Sequence, residues 1–570
     1  MSQPITPRAE LHEGKIWLTC PFNVRAAADA VPGRRWDPWN RVWVLPNTAA
    51  TLEILAGFRG LELDDELMAR LPQPEIPVEA VDVPDAPPMP LRPGITPFAH
   101  QQAAYALALQ HDGYALLHEP GCGKTLTAIA LIGRRHLEGQ VRRCLVVAPL
   151  SVIPAWEPEW AAYSSVPATL RLLTGSGAQK AAALKGLARV QGLAVAVINY
   201  ESVWRLEDEI AAWRPDMIVC DESQRIKNPK AKQSRALHRL GRLAKYRLML
   251  TGTPVNNGPL DFWSQYRYLD PTIFEGSYYA FRNHYAVMGG FEGKQVVAYR
   301  DLGELTRKAH SVAHRVTKAE ALDLPPYTDQ LRYCTLEPAA RKLYNTLERE
   351  SAAELEAAAV VTAPLVVTRM LRLSQLTGGY LRPDEGGEVR QVSTAKLQLL
   401  EEVLEDLVAA GKKIVIFARF VPEIHAICSA AAALVGEAGC RAIWGETPGE
   451  QRGQAVQDFQ TLGEVRVFVA QTRTAGLGIT LHAADTCIFY SLDYSYETYE
   501  QARARIHRAG QCHPCTAIHL IAQKTIDEDV LETLRRKKDF AAEMVDRWRE
   551  RRGHGTDSGN PQPPAAAGQD

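Results

Sequence analysis

Short apolar runs that end in polar residues recur along the first half of the chain. They cover residues 114–117, 144–148, 194–198, 217–220 and 247–250. Stretches of helical length separate them. Apolar runs of this length predict buried strands, and strands that alternate with helices predict a parallel sheet. The polar residues that follow these strands should then share one edge of the sheet, where such sheets bind their ligands.

The same alternation resumes in the second half of the chain. Further strand-like runs occupy residues 414–417, 466–470, 486–490 and 516–521. Between the two series lie an aromatic-rich insertion and a helical stretch rich in Ala, Leu and Glu. The pattern predicts an α/β fold with two parallel-sheet lobes. We place the first lobe at residues 96–325 and the second at residues 326–540, each with a helical insertion.

A small α+β module is predicted at residues 1–71, with strands at 15–20 and 42–45 and helices at 24–31 and 51–58. Its middle carries three tryptophans and three arginines within twelve residues. Rings of this kind can stack on bases and guanidinium groups can hold phosphates, so Arg34, Arg35 and Trp39 are candidate DNA contacts. The alternative is that the tryptophans form the core of a small domain.

Two segments are predicted to lie outside the folded units. Residues 72–95 are rich in proline and acidic residues, a composition typical of a semi-extended linker. Residues 541–570 begin with basic residues that continue a predicted helix. They end in a Gly/Pro/Ala-rich stretch that we expect to be disordered.

Composition restricts the class of protein without identifying a partner. The 570 residues carry a formal net charge of −1, so any DNA contact must come from local patches. The ten cysteines are scattered, which favours reduced thiols in a cytosolic protein. No signal peptide and no apolar run of membrane-spanning length is present. We therefore expect a cytoplasmic protein without a membrane partner.

The stretch from His118 to Thr125 carries the clearest chemistry. An apolar strand precedes it and a predicted helix follows, and Gly121 and Gly123 allow backbone N–H groups to surround phosphate oxygens. Lys124 is then expected to reach the β- and γ-phosphates of ATP, and the Thr125 hydroxyl to bind magnesium. The first glycine of the usual pattern is replaced by His118. An ordinary glycine turn is the alternative interpretation.

Asp221 and Glu222 follow the fourth apolar run. An acidic residue at a strand end can hold magnesium, and a neighbouring carboxylate can orient or deprotonate the attacking water. An Asp-Glu pair is common on protein surfaces. Its position after a buried strand, downstream of a phosphate-binding loop, favours the catalytic role.

Four segments in order resemble the motifs of the superfamily-two helicase-like ATPases. They begin at Glu119, Ala148, Asp221 and Thr251, and the Arg-Ile-Lys-Asn after Asp221-Glu222 is similar to the Swi/Snf family in particular. The resemblance implies two RecA-like lobes that clamp ATP and magnesium. It also implies nucleotide contacts from Gln101 (with an uncertainty of one position), Glu119 and Gly478, and arginine fingers at Arg505 and Arg508 on one helix face.

The resemblance also implies DNA contacts at the loop edges of both lobes. The candidates are Pro149, Ser151, Asn199, Tyr200, Thr472 and Arg473. The N-terminal module resembles the HARP domain of annealing helicases through its Pro-Gly-Arg-Arg-Trp-Asp-Pro segment. One departure is visible: the family usually has Trp-Asn-Pro before its last motif, whereas this chain has Asp493 to Tyr496.

We therefore expect a DNA-dependent ATPase that moves on double-stranded DNA and remodels or reanneals forks. The alternative is a strand-unwinding or protein-displacing helicase of a bacterial or phage replication, repair or defence system. A third possibility, a catalytically inactive DNA-binding scaffold, is disfavoured by the intact ATPase residues. We expect a monomer that binds double-stranded and forked DNA. We expect the source to be a bacterium or a phage, and the protein to be nuclear if the source is eukaryotic.

Overall fold

The computed structural model describes residues 7–12, 14–19, 28, 31, 33–56, 61–64, 66–67, 83–256, 258–289, 295–321, 324–357, 363–381, 388–474, 479–508 and 510–545. Within these residues the chain forms a small N-terminal sheet and two larger parallel sheets. The predicted fold class, two parallel-sheet lobes with a small N-terminal module, is confirmed. No helix among the described residues is long and apolar enough to cross a lipid bilayer.

The N-terminal sheet has five strands in the order β3-β4-β2-β1-β5. They are β1 Arg8–His12, β2 Lys15–Thr19, β3 Arg35–Asp37, β4 Val42–Leu45 and β5 Glu62–Leu63, and one helix spans Ala49–Ala56. Strands β2 and β4 were predicted, whereas β1, β3 and β5 were not, because each is short or carries charged residues. Most of the predicted helix at 24–31 lies outside the described residues.

The first lobe contains a seven-stranded sheet in the order β14-β6-β11-β10-β7-β9-β8, with every pair parallel. Its strands are β6 Gly113–His118, β7 Arg143–Ala148, β8 Ala168–Leu172, β9 Leu193–Asn199, β10 Met217–Asp221, β11 Tyr246–Leu250 and, after the hairpin described below, β14 Ala313–Val316. Strands β6, β9 and β10 are buried along their whole length, as expected for a sheet covered by helices on both faces.

Helices cover this sheet and connect its strands. They are Ala99–Leu109, Lys124–Leu137, Ile153–Tyr163, Gly177–Leu187, Tyr200–Val203, Glu207–Trp213 and Lys232–Leu243, with a 3₁₀ turn at Ser223–Ile226. Strand β11 lies between β6 and β10 in the sheet. The ends of these three neighbouring strands therefore bring the phosphate-binding loop, Thr251 and Asp221 to one edge.

The insertion of the first lobe contains a β-hairpin as well as helices. Helices Asp261–Leu269, Tyr278–Tyr285, Leu302–His310 and Lys318–Ala321 surround strands β12 Ala286–Gly289 and β13 Gln295–Tyr299. The hairpin residues Val287, Val297 and Ala298 pack into the core of the N-terminal module. Since so small a sheet has little apolar area of its own, this contact completes its core.

The module is consequently docked on the first lobe, and the linker prediction is partly wrong. From Val83 onward the proline-rich segment lies on the lobe surface, because Met89 and Leu91 pack against the lobe core and Arg92 Nε donates to Ser164 O at 3.2 Å. Residues 71–82 lie outside the described residues.

The second lobe contains a six-stranded parallel sheet in the order β15-β22-β21-β18-β20-β19. Its strands are β15 Tyr327–Cys334, β18 Ile414–Ala418, β19 Cys440–Ile443, β20 Val467–Gln471, β21 Thr486–Phe489 and β22 Cys515–Ala522, and a separate small hairpin pairs β16 Tyr380–Leu381 with β17 Arg390–Gln391. Its helices are Pro338–Ala357, Ala363–Thr377, Ala395–Ala409, Val421–Val435, Gly449–Thr461, Tyr496–Arg503 and Ile526–Val545, with a 3₁₀ turn at Glu437–Gly439. The predicted tail from residue 546 lies outside the described residues.

Candidate active site

The phosphate-binding loop connects β6 to the helix Lys124–Leu137. Gly121 and Gly123 have φ values of +96° and +71°, which L side chains rarely adopt. A Cβ at Gly123 would lie 2.1 Å from Gln101 Nε2, so a side chain at this position would also displace the Gln101 amide. The two glycines thus expose the backbone of the loop.

Gln101 supports this loop from the helix Ala99–Leu109. Its Nε2 donates to Gly123 O at 3.2 Å, and its Oε1 accepts from Phe98 N at 2.8 Å. The residue is 2% exposed. Both ends of the amide are therefore bonded to the protein, and the side chain braces the loop. The predicted contact of Gln101 with adenine stays a prediction.

Glu119 and Lys124, which lie near the two ends of the loop, point in different directions. Lys124 Nζ donates to His118 O at 2.8 Å and to Glu119 O at 3.4 Å, so it lies across the mouth of the loop. The Glu119 carboxylate accepts instead from Arg315 Nη2 at 3.2 Å and from Lys318 N at 2.9 Å. Glu119 ties the loop to the segment that leaves the first lobe, and its predicted role as a nucleotide contact stays a prediction.

His118, which replaces a glycine of the usual pattern, belongs to the lobe interior. It is fully buried, and its Nε2 lies 3.0 Å from His314 Nδ1. Burial, together with the neighbouring His314 and Lys124, holds the pKa of His118 well below its ordinary value. A neutral imidazole therefore occupies the lobe interior next to His314.

Asp221 ends β10 inside the same edge. Trp156 Nε1 donates to Asp221 Oδ2 at 3.2 Å, and Tyr200 Oη donates to Asp221 O at 2.8 Å. Burial is the main cause that raises the pKa of Asp221 to about 7; Glu222 adds to it and Lys124 opposes it. A divalent cation at this carboxylate would remove the cost of its buried charge, so the site suits magnesium.

Glu222 occupies a strained backbone position beside Asp221. Its φ of 55° and ψ of 56° lie in the left-handed region, which costs a non-glycine residue about 1–3 kcal/mol. Gln224 Nε2 donates to Glu222 Oε2 at 2.7 Å. The turn thus aims the carboxylate away from the strand axis, and the amide fixes its direction, as an oriented general base requires.

The helix Ile153–Tyr163 contributes a third carboxylate that the sequence reasoning missed. Burial raises the pKa of Glu159, while a hydrogen bond from Thr125 and the charge of Arg508 lower it. Glu159 stands three residues after Trp156, and residues at this spacing share one face of a helix. Trp156 contacts Asp221, so this spacing was the available signal.

Two arginines of the second lobe face the first lobe. Arg508 Cβ lies 3.5 Å from the place that a Cβ on Gly121 would occupy, and Arg508 Nη1 donates to Thr480 Oγ1 at 2.8 Å. Burial lowers the pKa of Arg505 to about 10, with Arg508 acting in the same direction and Glu222 opposing both. The second lobe thus presents two cations to the phosphate loop and to the carboxylates of Glu159 and Glu222.

The helix predicted to carry these arginines is shorter than expected. It ends at Arg503, and Arg505 and Arg508 lie in the turns that follow. Further along the chain, Gln511 Nε2 donates to the carbonyl oxygens of Ile506, His482 and Ala484. Gln511 therefore holds the arginine segment in shape without a helix. Gly478, predicted to contact the nucleotide, lies outside the described residues.

The residues that meet between the lobes suit a nucleoside triphosphate with magnesium. Lys124 and the loop amides can bind phosphates, Thr125 and Asp221 can bind the metal ion, and Arg505 and Arg508 approach from the other lobe. The metal supplies charge neutralisation at the phosphates when it is bound. Oxygen donors of this kind are the ones that magnesium prefers.

A second opening between the lobes lies next to Glu222. This space, which we call the outer cavity, has a volume of about 470 Å³ and is lined by Pro149, Ser151, Tyr200, Glu222, Arg473 and Glu497, among others. Four of the predicted DNA-contact positions therefore reach one space that also touches the catalytic carboxylate. Arg473 is an exposed cation at this cavity, with a side chain that is 74% accessible and 3.4 Å from Asp493.

Three of the predicted DNA-contact side chains support the fold instead. Tyr200 is 1% exposed and donates its hydroxyl hydrogen to the main chain at Asp221. Thr472 donates to Ala418 O at 3.0 Å. The Asn199 amide accepts from Lys180 at 3.0 Å and donates to Glu201 at 2.9 Å. In this structure the three side chains are bonded within the protein, and their DNA contacts stay a prediction.

The tryptophans of the N-terminal module divide between core and surface. Trp43 is partly buried and lies 5.2 Å, between ring centroids, from Trp36, whereas Trp39 is 93% exposed. Asp37 Oδ1 accepts from Trp39 N and Asn40 N at 2.9 and 3.2 Å, which fixes the turn between β3 and β4. The exposed Arg34 and Arg35 precede this turn. A rigid tip therefore presents one free indole ring.

Two family models match the chain. The model described as SNF2-related domain matches residues 64–376, more than half of the 570 residues, and the model described as helicase conserved C-terminal domain matches residues 395–510. The two models together describe the core of an ATP-hydrolysing enzyme, and the matched segments include both sides of the site described above.

Curated relatives show the same similarity as the family models. The chain is 28% identical over 438 residues to mouse chromodomain-helicase-DNA-binding protein 1-like, covering 74% of this chain and 46% of the relative. It is 25% identical over 480 residues to the Saccharomyces cerevisiae DNA repair and recombination protein RDH54, covering 75% and 51%. The chain thus spans about half the length of these relatives. The Sulfolobus solfataricus SWI2/SNF2 ATPase core in complex with dsDNA shares 24% identity and a TM-score of 0.38, covering 81% of this chain and 94% of the other.

Proposed function

Because the chain belongs to the SNF2-related family of helicase-like ATPases, we propose that it is a motor that couples ATP hydrolysis to movement along double-stranded DNA. The observation that carries the proposal is the meeting of the two lobes at one site. Arg508 of the second lobe packs against Gly121 of the phosphate loop, and Arg505 lies within electrostatic range of Glu222.

The roles within the proposed reaction follow from this arrangement. Lys124 and the loop amides bind the phosphates of ATP, and Thr125 and Asp221 bind magnesium. Glu222 orients the attacking water and accepts its proton. Arg505 and Arg508 stabilise the charge that develops on the γ-phosphate, which requires closed lobes. Hydrolysis then releases the lobes and completes one step along the track.

DNA is the track that the outer cavity suits. Its predicted contacts are loop ends, which bind the phosphate backbone through main-chain N–H groups and short polar side chains. Such contacts carry no sequence preference. We therefore propose a translocase of the remodelling or repair type, in keeping with the names of the relatives.

The finer proposal is that the motor acts on DNA forks and reanneals them. Its support is the tip of the N-terminal module, where Trp39 offers a free ring beside Arg34 and Arg35. Exposed bases at the junction of duplex and single strand can stack on such a ring. Because the module is docked on the first lobe, this tip has a fixed place on the motor.

ATP turnover with and without duplex DNA is the primary test. The wild-type rate should rise when duplex is added, and Lys124→Ala or Glu222→Gln should abolish it while circular dichroism stays unchanged. A DNA-independent rate, or turnover in Glu222→Gln near that of the wild type, would contradict the proposal. Displacement of a third strand from a triplex then measures translocation directly.

Fork substrates separate the proposed function from its alternative. An annealing motor should close a partly melted fork in the presence of ATP and leave a complete duplex intact. A strand-unwinding helicase should instead release single strands from the same fork. DNA affinity should fall steeply as salt rises from about 50 to 200 mM, since the contacts are to phosphates.

A further inference from the structure

Glu497 joins the two lobes at the edge of the outer cavity. It lies in the first turn of the second-lobe helix Tyr496–Arg503. Its Oε1 accepts from Gln224 Nε2 at 2.9 Å, and its Oε2 accepts from Asn256 Nδ2 at 3.0 Å. Both donors belong to the first lobe. One carboxylate thus uses its two oxygens to hold two amides across the interface.

Gln224 is also bonded to the catalytic carboxylate. The same Nε2 that donates to Glu497 donates its other hydrogen to Glu222 Oε2 at 2.7 Å. Its Oε1 accepts from Thr251 Oγ1 at 2.7 Å, and the residue is 2% exposed. Because ionised carboxylates only accept hydrogen bonds, Glu222 and Glu497 fix which end of the amide is the nitrogen, and the Thr251 hydroxyl can donate to the other end. The nitrogen must therefore face the two carboxylates, one from each lobe.

Asn256 has an equally restricted environment. It is 8% exposed, and its backbone N–H donates to Asp261 Oδ2 at 3.0 Å. The residue follows Thr253 and Pro254, which line the opposite side of the interface near the phosphate loop. Glu497 consequently contacts the segments that follow two adjacent strands, β10 and β11, and both segments border the ATP site.

We propose that Glu497 is a positioning residue that couples lobe closure to the direction of Glu222 through Gln224. When the lobes close, Glu497 takes one hydrogen of the Gln224 amide, and the second hydrogen holds Glu222 in place. When they separate, the amide loses this anchor and Glu222 loses its fixed direction. Hydrolysis is thereby restricted to the closed state. The inference rests on the proposed role of Glu222.

The arrangement distinguishes this role from simple stabilisation of the helix. Ser495 already caps the helix, accepting from Thr498 N at 3.2 Å. An acidic side chain in the first turn would favour the helix dipole in any lobe arrangement. A positioning role depends on the Gln224 and Asn256 amides that face Glu497. A variant that restores one of these hydrogen bonds with donor and acceptor exchanged should therefore restore activity.

Two single variants, their combination and one control test the proposal by ATP turnover at saturating ATP. Glu497→Gln places an amide opposite the amides of Gln224 and Asn256. Its kcat should fall about tenfold, which raises the barrier by about 1.4 kcal/mol, and its KM for ATP should stay within about twofold of the wild type. Asn256→Asp sets two carboxylates face to face, and kcat should fall further. In the double variant the amide introduced at position 497 can donate to the carboxylate introduced at position 256, so kcat should exceed that of Asn256→Asp alone. Glu450→Gln, an exposed first-turn acid of another second-lobe helix, should match the wild type.

The outcomes separate this inference from the motor proposal. Each protein is assayed with and without duplex DNA. If duplex DNA does not raise the wild-type rate of ATP hydrolysis, the motor proposal is contradicted. The variants can still be compared by their rates of hydrolysis without DNA. A wild-type kcat in Glu497→Gln, or a double variant no faster than Asn256→Asp alone, would overturn the positioning role. Equal melting temperatures across the set exclude misfolding as the cause of a lower rate.

Discussion

The ATP site and the outer cavity are both lined by residues that follow buried parallel strands, yet they use those residues differently. At the ATP site, Lys124 and Glu222 both act on the charge of Asp221, while Glu222 lies within electrostatic range of Arg505 and Glu159 within range of Arg508. At the outer cavity, Tyr200 directs its hydroxyl group back into the first lobe. Arg473, by contrast, extends a charged group into solvent there.

The difference follows from what each site has to hold. A small, highly charged nucleotide requires several side chains at fixed positions, so burial and opposed charges are concentrated there. A phosphate backbone can be bound by main-chain N–H groups, which are available at every loop. Side chains at the outer cavity are then free to brace the ATP site, as Tyr200 does through the main chain at Asp221.

The largest expected effect is on the rate of hydrolysis. Arg508→Ala should lower kcat about a thousandfold, because an arginine finger contributes about this much to phosphoryl transfer. Arg332→Ala, an exposed arginine of the second lobe, serves as the control. Single-turnover hydrolysis of ATP on duplex DNA measures both. A loss of less than about tenfold in Arg508→Ala would assign the finger to Arg505 alone.

The next effect concerns the tip of the N-terminal module. Trp39→Ala should weaken binding to forked DNA about tenfold or more, since one base stacked on an aromatic ring contributes about 1–3 kcal/mol. The melting temperature should not change, because the ring is 93% exposed. Tyr333→Ala, which removes a 49% exposed ring from the second lobe, is the control.

Fluorescence anisotropy with fork and plain duplex at the same salt concentration measures the preference. Equal fork affinity in Trp39→Ala and the wild type would remove the support for the annealing role. The translocase proposal would stand, since it rests on the ATP site. The test is sharper than deletion of the module, which would also expose the apolar hairpin residues Val287, Val297 and Ala298.

Much of this architecture could be predicted because it depends on local sequence. The apolar runs at 114–117 and 217–220 became β6 and β10, and the glycines and carboxylates after them lie at the ends of those strands. The family and the two-lobe fold were predicted correctly for the same reason. A strand and the turn that follows it are adjacent in the chain, so their pattern carries their geometry.

The contacts between distant segments could not be predicted. Glu159 reaches Thr125 from another helix, Glu119 turns toward Arg315, and the hairpin of β12 and β13 completes the core of the module. None of these pairs is close in sequence. The helix at Arg505 was also predicted too long, because the sequence does not show that the Gln511 side-chain amide bonds the carbonyl oxygen of Ile506 and those of the separate residues His482 and Ala484.

A third prediction concerns the pH dependence of stability. The pKa of Asp221 is raised to about 7 in the folded protein, against about 3.9 in an unfolded chain. Between these values the folded state binds the extra proton, so this group lowers the free energy of unfolding as pH rises from about 4 to 7. Asp221→Asn should therefore stabilise the nucleotide-free protein at pH 8 by about 1–3 kcal/mol and change little near pH 4.5.

Urea denaturation at the two pH values measures this difference. Glu450→Gln, an exposed carboxylate, should show the same stability as the wild type at both. Added magnesium should reduce the gap between Asp221→Asn and the wild type at pH 8, because the cation compensates the buried charge. If the stability difference between Asp221→Asn and the wild type were equal at the two pH values, the Asp221 carboxylate would be ionised at both.

The smallest expected effect separates the two uses of the outer cavity. Tyr200→Phe removes the hydrogen bond to Asp221 O, which should lower the free energy of unfolding by about 1 kcal/mol. Its affinity for duplex DNA should not change, because the ring is 1% exposed.

Arg473→Ala should weaken the binding of duplex DNA and leave the free energy of unfolding nearly unchanged. Its ion pair with Asp493 is at the surface and contributes little to stability, while a lost phosphate contact weakens binding.

The salt dependence of DNA binding decides between these two roles. Each phosphate that a cation neutralises contributes about one to the slope of log affinity against log salt, so Arg473→Ala should reduce the slope by about 1 and Tyr200→Phe should leave it unchanged. If Tyr200→Phe weakened DNA binding at unaltered stability, the hydroxyl would have to reach the DNA in the bound state. The loop after β9 would then rearrange on binding, and the division between scaffold and contact residues would hold only without DNA.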